Sequence, residues 1–170
     1  APVEQLAARF LRFDHGDLLR KYQRMARRAV SEQRYDEALK QIGRAIEVDP
    51  AVESAWVEKA RILLLMNRSD EAMTALDRTI ACDPTATIAM VLRGEILSRS
   101  GRLDEAMDQW RKVLVVRPGN VDAHVDSGVV LSYRGDLQGA LDHWESALRL
   151  DPSNEQAHLY MSRGLFKLGD

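Results

Sequence analysis

The chain is poor in most of the features that announce chemistry. Its 170 residues include one cysteine, Cys82, which excludes an internal disulfide and leaves core filling near a helix end as the expected role of that thiol. Neither sign of charge dominates: 24 Lys and Arg stand against 26 Asp and Glu, for a net charge of −2, so no global field draws the chain to nucleic acid or to a membrane surface. No apolar run approaches the ~20 residues of a spanning helix, so direct membrane insertion is not expected. The sequence contains no glycine-rich phosphate loop, no cysteine pair and no nucleophile beside a plausible base. Basic and aromatic residues do not interleave along one stripe as nucleic-acid binding would require. The expectation is therefore no catalytic residue, no metal ligand, no cofactor and no nucleic acid. Proline is also scarce, at five residues, and the placement of those few is the most informative feature of the chain.

Pro50, Pro84, Pro118 and Pro152 stand 34 residues apart, and the residues around each recur in the same order. A fixed period of this length means stacked supersecondary units, each unable to bury its apolar face alone. Placing each proline at position 32 of a unit gives repeats at 19–52, 53–86, 87–120 and 121–154, a leading helix at 1–18 and a partial fifth unit at 155–170. Position 20 is Ala38, Ala72, Ala106 and Ala140, and position 8 is Ala26, Ala60, Gly94, Gly128 and Ser162. Small residues at two fixed points let the two helices of a unit approach closely. Larger apolar residues fill position 24 (Ile42, Leu76, Trp110, Trp144) and position 11 (Ala29, Leu63, Leu97, Leu131, Leu165), while position 4 opens with Tyr22 and Trp56.

This arrangement resembles the tetratricopeptide repeat, with Gly128, Ala140, Trp144, Ala147 and Pro152 of the fourth unit falling on the family pattern. Departures are modest: Thr79 and Val113 at position 27, and Met90, His124 and His158 at position 4. The resemblance implies an all-α, right-handed superhelical solenoid of antiparallel helix pairs, with four full 34-residue repeats plus flanking helices. It also implies an adaptor whose concave groove holds a segment of another polypeptide.

Local chemistry agrees. Helix A should end at position 15, where Asn67, Gly101, Gly135 and Gly169 accept a left-handed backbone and Gln33 does so less readily. Helix B should open on the acidic pairs Asp36-Glu37, Asp70-Glu71 and Asp104-Glu105, which suit its free amides and dipole, and close at Asp49-Pro50, Asp83-Pro84 and Asp151-Pro152. Val3, Leu6, Ala7, Phe10 and Leu11 recur at helical spacing and read as a capping helix or the second helix of a preceding unit, with His15 in the loop that follows. Residues 155–168 read as a fifth helix A with Met161, Leu165 and Leu168 inward, so the chain is expected to be a piece of a longer protein. The compartment is left open between cytoplasm and periplasm.

In the family, the groove is lined by the helix A stripe at positions 2, 5, 9 and 12. The residues expected to form it are Arg20, Arg27, Val57, Arg61, Leu64, Val91, Glu95, Val125, Val129, Leu159 and Arg163, with Arg24 and the neighbouring Leu65, Tyr133 and Tyr160 joining the groove. An apolar centre flanked by arginine suits a partner with apolar anchors and some acidic residues. Val91→Glu and Val125→Glu are then expected to leave the fold intact and abolish binding.

Other readings fare less well. The clamp that family members use for the C-terminal carboxylate of chaperone tails needs Lys and Asn where the first three units supply Gln23, Arg27, Glu58, Ile88 and Leu92. A chaperone-tail partner is therefore disfavoured. His124 and His158 occupy one column, but equivalent positions of stacked helices lie ~8–10 Å apart, too far for a shared metal ion, and packing accounts for them better. The alternative function is a head-to-tail self-assembling scaffold, since residues 19–52 carry eight basic and five acidic residues and residues 121–154 carry two and six, or a structural spacer within a multiprotein assembly.

Overall fold

The computed structural model describes residues 2–169, with side chains from His15 onward. The described residues form nine helices: α1 (Pro2–Ser31), α2 (Tyr35–Val48), α3 (Glu53–Leu65), α4 (Ser69–Cys82), α5 (Thr87–Arg99), α6 (Leu103–Val116), α7 (Val121–Tyr133), α8 (Leu137–Leu150) and α9 (Glu155–Gly169). They fall into two compact units, Ala1–Pro84 and Thr85–Asp170. In the first, α1 pairs with α2, α2 meets α3, and α3 pairs with α4. In the second, α5 pairs with α6 and α7 with α8, α9 packs on α8, and α7 touches both α5 and α9.

Helix boundaries follow the residues that stop or start a hydrogen-bond ladder. Gln33, Asn67, Gly101 and Gly135 all adopt positive φ, between 57° and 86°. In each case the next residue donates to the carbonyl five residues back, as Arg34 does to Ala29 at 2.8 Å and Arg68 to Leu63 at 2.9 Å, which satisfies the last carbonyls of helix A. Gln33 does this without glycine's freedom because the flanking helices fix the turn. The acidic pairs lie in the first turns of α2, α4 and α6 as expected. In α8, Asp136 instead caps the helix, accepting from the Gly139 amide at 2.9 Å.

One boundary differs from expectation. The sequence predicts a separate leading helix over residues 1–18 with His15 in a loop, whereas α1 runs unbroken through His15 to Ser31. Neither Asp14-His15 nor Gly16 removes a backbone donor as proline would, so nothing interrupts the ladder. The stripe Val3, Leu6, Ala7, Phe10 and Leu11 lies outside the described side chains.

The columns form the core. Ala38, Ala72, Ala106 and Ala140 are fully buried, and so, within 2% exposure, are Ile42, Leu76, Trp110 and Trp144. Position 8 is matched in size to position 24: alanine faces Ile42 and Leu76, while glycine faces each tryptophan. A Cβ on Gly94 would lie 2.7 Å from Trp110 Cε2, and one on Gly128 the same distance from Trp144 Cδ1. Gly164 of α9 lies against the other side of the Trp144 ring, where a Cβ would come within 2.8 Å of Cζ3. Thr79, a departure from the family pattern, is buried with its hydroxyl donating to Ala75 O at 3.1 Å. On α9, Ser162 and Leu165 hold the positions that helix B covers in the four hairpins, and both are exposed.

Candidate functional site

The A helices, α1, α3, α5, α7 and α9, present one open stripe within each unit. Positions 2, 9 and 13 carry its most exposed residues, among them Arg20, Arg27, Arg61, Leu65, Tyr133, Arg163 and Lys167. Tyr133 is 83% exposed. Of the residues expected in the groove, Arg20, Arg24, Arg27, Arg61, Tyr133, Leu159 and Arg163 are exposed, and Leu64, Glu95 and Val129 are half-buried.

Val57, Val91 and Val125 are a correction. They are 7%, 6% and 3% exposed and belong to the core rather than to an open surface. Val125 packs with Ala147 of α8 and Ala157 of α9. Position 5 of α3, α5 and α7 faces neighbouring helices, and the stripe runs instead through position 6, where Glu58, Asp126 and Tyr160 stand half-buried, though Leu92 of α5 is buried. Glu58, Asp126, Arg99 and Lys167 were missed for this reason. A phase of 2, 6, 9, 13 is as regular on a helix as 2, 5, 9, 12, and the apolar character of the position-5 column was the available sign of burial.

In the first unit the stripe is cross-linked by polar contacts. Gln23 Nε2 donates to Ser54 Oγ at 2.9 Å, and Arg27 Nε donates to Glu58 Oε1 at 2.7 Å while its Nη2 contacts the same oxygen. Beside this pair lies a shallow apolar cavity of about 210 Å³ bordered by Val30, Arg61 and Leu65. Arg20 is paired with Asp17 at 2.6 Å.

The second unit carries two further cavities that share Val129 and Tyr160. The first, about 300 Å³, is lined by Glu95 and Arg99 of α5, Trp110 of α6, Asp122 and Asp126 of α7, and Gln156 and Tyr160 of α9. Burial, and then the charges of Glu95 and Asp122, push the Asp126 carboxyl up to about 7, against a partial opposing effect of Arg99. The second cavity, about 250 Å³, has Tyr133, Tyr160, Arg163 and Lys167 around it and Trp144 within it. The Trp144 and Tyr160 rings stack with centroids 5.8 Å apart.

The histidines of position 4 have a structural role. His124 Nε2 and His158 Nε2 lie 3.1 and 2.9 Å from the carbonyls of Pro118 and Pro152, just as Trp56 Nε1 donates to Pro50 O at 2.9 Å. Since a carbonyl only accepts, Nε2 of His124 carries the proton and its Nδ1 accepts from Nδ1 of His143, 3.1 Å away. Burial, and then His124, hold the His143 imidazole below its ordinary pKa. Among the described residues, no group of three or more His, Cys, Asp or Glu converges on a point where a metal could sit. No described helix is long and apolar enough to cross a membrane.

Comparison with known proteins agrees with this architecture. The tetratricopeptide repeat family matches residues 24–87, 67–123 and 91–155, which together span well over half of the sequence. The chain belongs to the tetratricopeptide repeat family, and the all-α solenoid fold read from its 34-residue period is shown. No curated protein sequence matches it. Among solved structures it is similar to PilF of Pseudomonas aeruginosa, with a TM-score of 0.81 and 18% identity over 91% of this chain and 70% of that one. It is also similar to the MamA protein, at 0.73 and 16% over 91% and 84% of the two chains. The first tetratricopeptide domain of Spaghetti (RPAP3), bound to the HSP90 peptide SRMEEVD, gives 0.65 and 18% over 69% and 94%. At these identities the likeness is one of fold.

Proposed function

We propose that the chain is a non-enzymatic interaction scaffold that holds an extended segment of a partner polypeptide along the open stripe of its A helices. The observation that carries this reading is the contrast along each A helix. Positions 5, 8 and 11 of the paired hairpins are largely used up by the core, whereas positions 2 and 13 stay open and include the large apolar side chains Leu65, Ile88 and Tyr133, with position 9 open or half-buried between them. Apolar surface that the fold does not need, bordered by charge and indented by cavities, fits protein recognition. In the first unit, Arg24 and Arg61 suit acidic residues of the partner, Arg20 and Arg27 being already paired with Asp17 and Glu58, and the apolar cavity beside Leu65 suits an aliphatic anchor. The likeness to a domain bound to an HSP90 peptide supports a peptide ligand in kind.

The test is a pair of single variants, Leu65→Glu and Tyr133→Glu. Both side chains are already in water, so melting temperatures should stay close to that of the unmodified chain. Capture of the partner from lysate should fall sharply for at least one of them. Undiminished capture by both would show that the stripe is not the binding surface.

A further inference from the structure

The two cavities of the second unit that share Val129 and Tyr160 differ in chemistry, and the difference specifies a ligand. The larger sets three carboxylates, Glu95, Asp122 and Asp126, against one guanidinium, Arg99, and walls them with the aromatic rings of Trp110 and Tyr160. Two polar groups there are poorly matched. Asp126 has the like charges of Glu95 and Asp122 beside it and only Arg99 opposed to it, and the indole Nε1 of Trp110, a residue 1% exposed, has no acceptor. Its counterpart Trp144 Nε1 donates to Val125 O at 3.2 Å. A carboxylate drawn out of water costs stability, and Arg99 offsets that cost only in part. Carboxylates beside aromatic faces form a cation site, because both attract a desolvated ammonium or guanidinium. The adjoining cavity reverses the sign, with Arg163 and Lys167 beside Tyr133 and Tyr160.

We infer that the second unit selects an extended partner segment that seats a lysine or arginine in the Glu95, Asp122 and Asp126 cavity, and an aromatic or acidic side chain in the Tyr133, Arg163 and Lys167 cavity. Adjacent A helices lie ~10 Å apart, so the two anchors stand about three residues apart in an extended chain advancing ~3.3 Å per residue. This rests on the stripe-binding reading above and sharpens it. The partner carries positive charge at this unit, whereas the arginine-rich stripe alone suggested acidic residues.

Selection from a random peptide library displayed on phage, followed by anisotropy titration of labelled synthetic copies of the enriched peptides, tests it. Enriched peptides should share a Lys or Arg with an aromatic or acidic residue about three positions away. Replacing that basic residue with Gln, or Asp126 with Asn, should weaken binding about tenfold or more. The Asp126→Asn protein should melt no lower than the unmodified chain, because the amide is uncharged where the carboxylate is poorly solvated, so lost binding will not reflect lost fold. Enriched peptides without a common basic residue, or peptides that bind Asp126→Asn equally well, would overturn the inference. If those peptides still lost affinity for Tyr133→Glu, the stripe would stand as the binding surface. No enrichment, or binding indifferent to both variants, would overturn the inference and the stripe reading together.

Discussion

Gly128→Ala should destabilise the protein by about 2 kcal/mol or more, although alanine is the better helix former by ~1 kcal/mol. Gly128 lies inside α7, where glycine is ordinarily a weakness, yet its missing side chain is the space that the Trp144 indole fills. A Cβ there would lie 2.7 Å from Cδ1 and 2.8 Å from Cε2 of a ring that is 2% exposed. The ring cannot retreat, since Gly164 closes its far side and Tyr160 stacks on it. Denaturant titration of Gly128→Ala, Trp144→Leu and the double variant would resolve the coupling. The second repeat, residues 53–86, already uses the Ala60 with Leu76 combination. The double variant should therefore be more stable than the sum of the single losses predicts, by ~1 kcal/mol or more. A Gly128→Ala protein as stable as the unmodified chain would show that the size match between positions 8 and 24 is not what sets the helix spacing.

Val125→Glu should unfold or nearly unfold the second unit, at a cost of about 3 kcal/mol or more, rather than leave a sound fold with an altered surface. Val125 is 3% exposed and sits among Ala147 and Ala157, with Tyr160 and Leu148 beyond. Arg99, which lines the same cavity, is already set against Glu95, Asp122 and Asp126, and the two aspartates on the same helix oppose a further negative charge. Thermal melting followed by circular dichroism decides it. A melting temperature within a few degrees of the unmodified chain would return Val125 to the surface where the sequence had placed it. Tyr133→Glu, one helix turn and more beyond, is the matched control that should cost under ~0.5 kcal/mol.

The contrast between those two variants marks where sequence reading succeeds. Period, hairpins, left-handed turns and buried alanines were legible because each leaves a residue-type trace at a fixed offset. Even the pairing of Gly94 with Trp110 and Gly128 with Trp144 stood in the columns. The stripe was misphased by one residue because positions 5 and 6 differ by only one step around the helix, and which of them meets water depends on the neighbouring helix. The strain on Asp126 was invisible for the same reason, since it comes from Glu95, Asp122 and burial by other helices. The role of His124 and His158 depends on proline carbonyls six residues earlier, and a backbone acceptor leaves no mark in the sequence. The continuity of α1 through His15 leaves no positive mark in the sequence, since no residue there either enforces a break or requires a helix.

Site-specific photo-crosslinking tests the central claim, that the open stripe of the A helices holds a partner polypeptide. A benzophenone amino acid at Tyr133 on α7 and another at Val115 on α6, 83% and 78% exposed, sample the stripe and a surface away from it at equal access to solvent. Illumination in lysate should join a discrete protein to the Tyr133 position and not to the Val115 position. Equal labelling of both, or labelling at Val115 alone, would contradict the account.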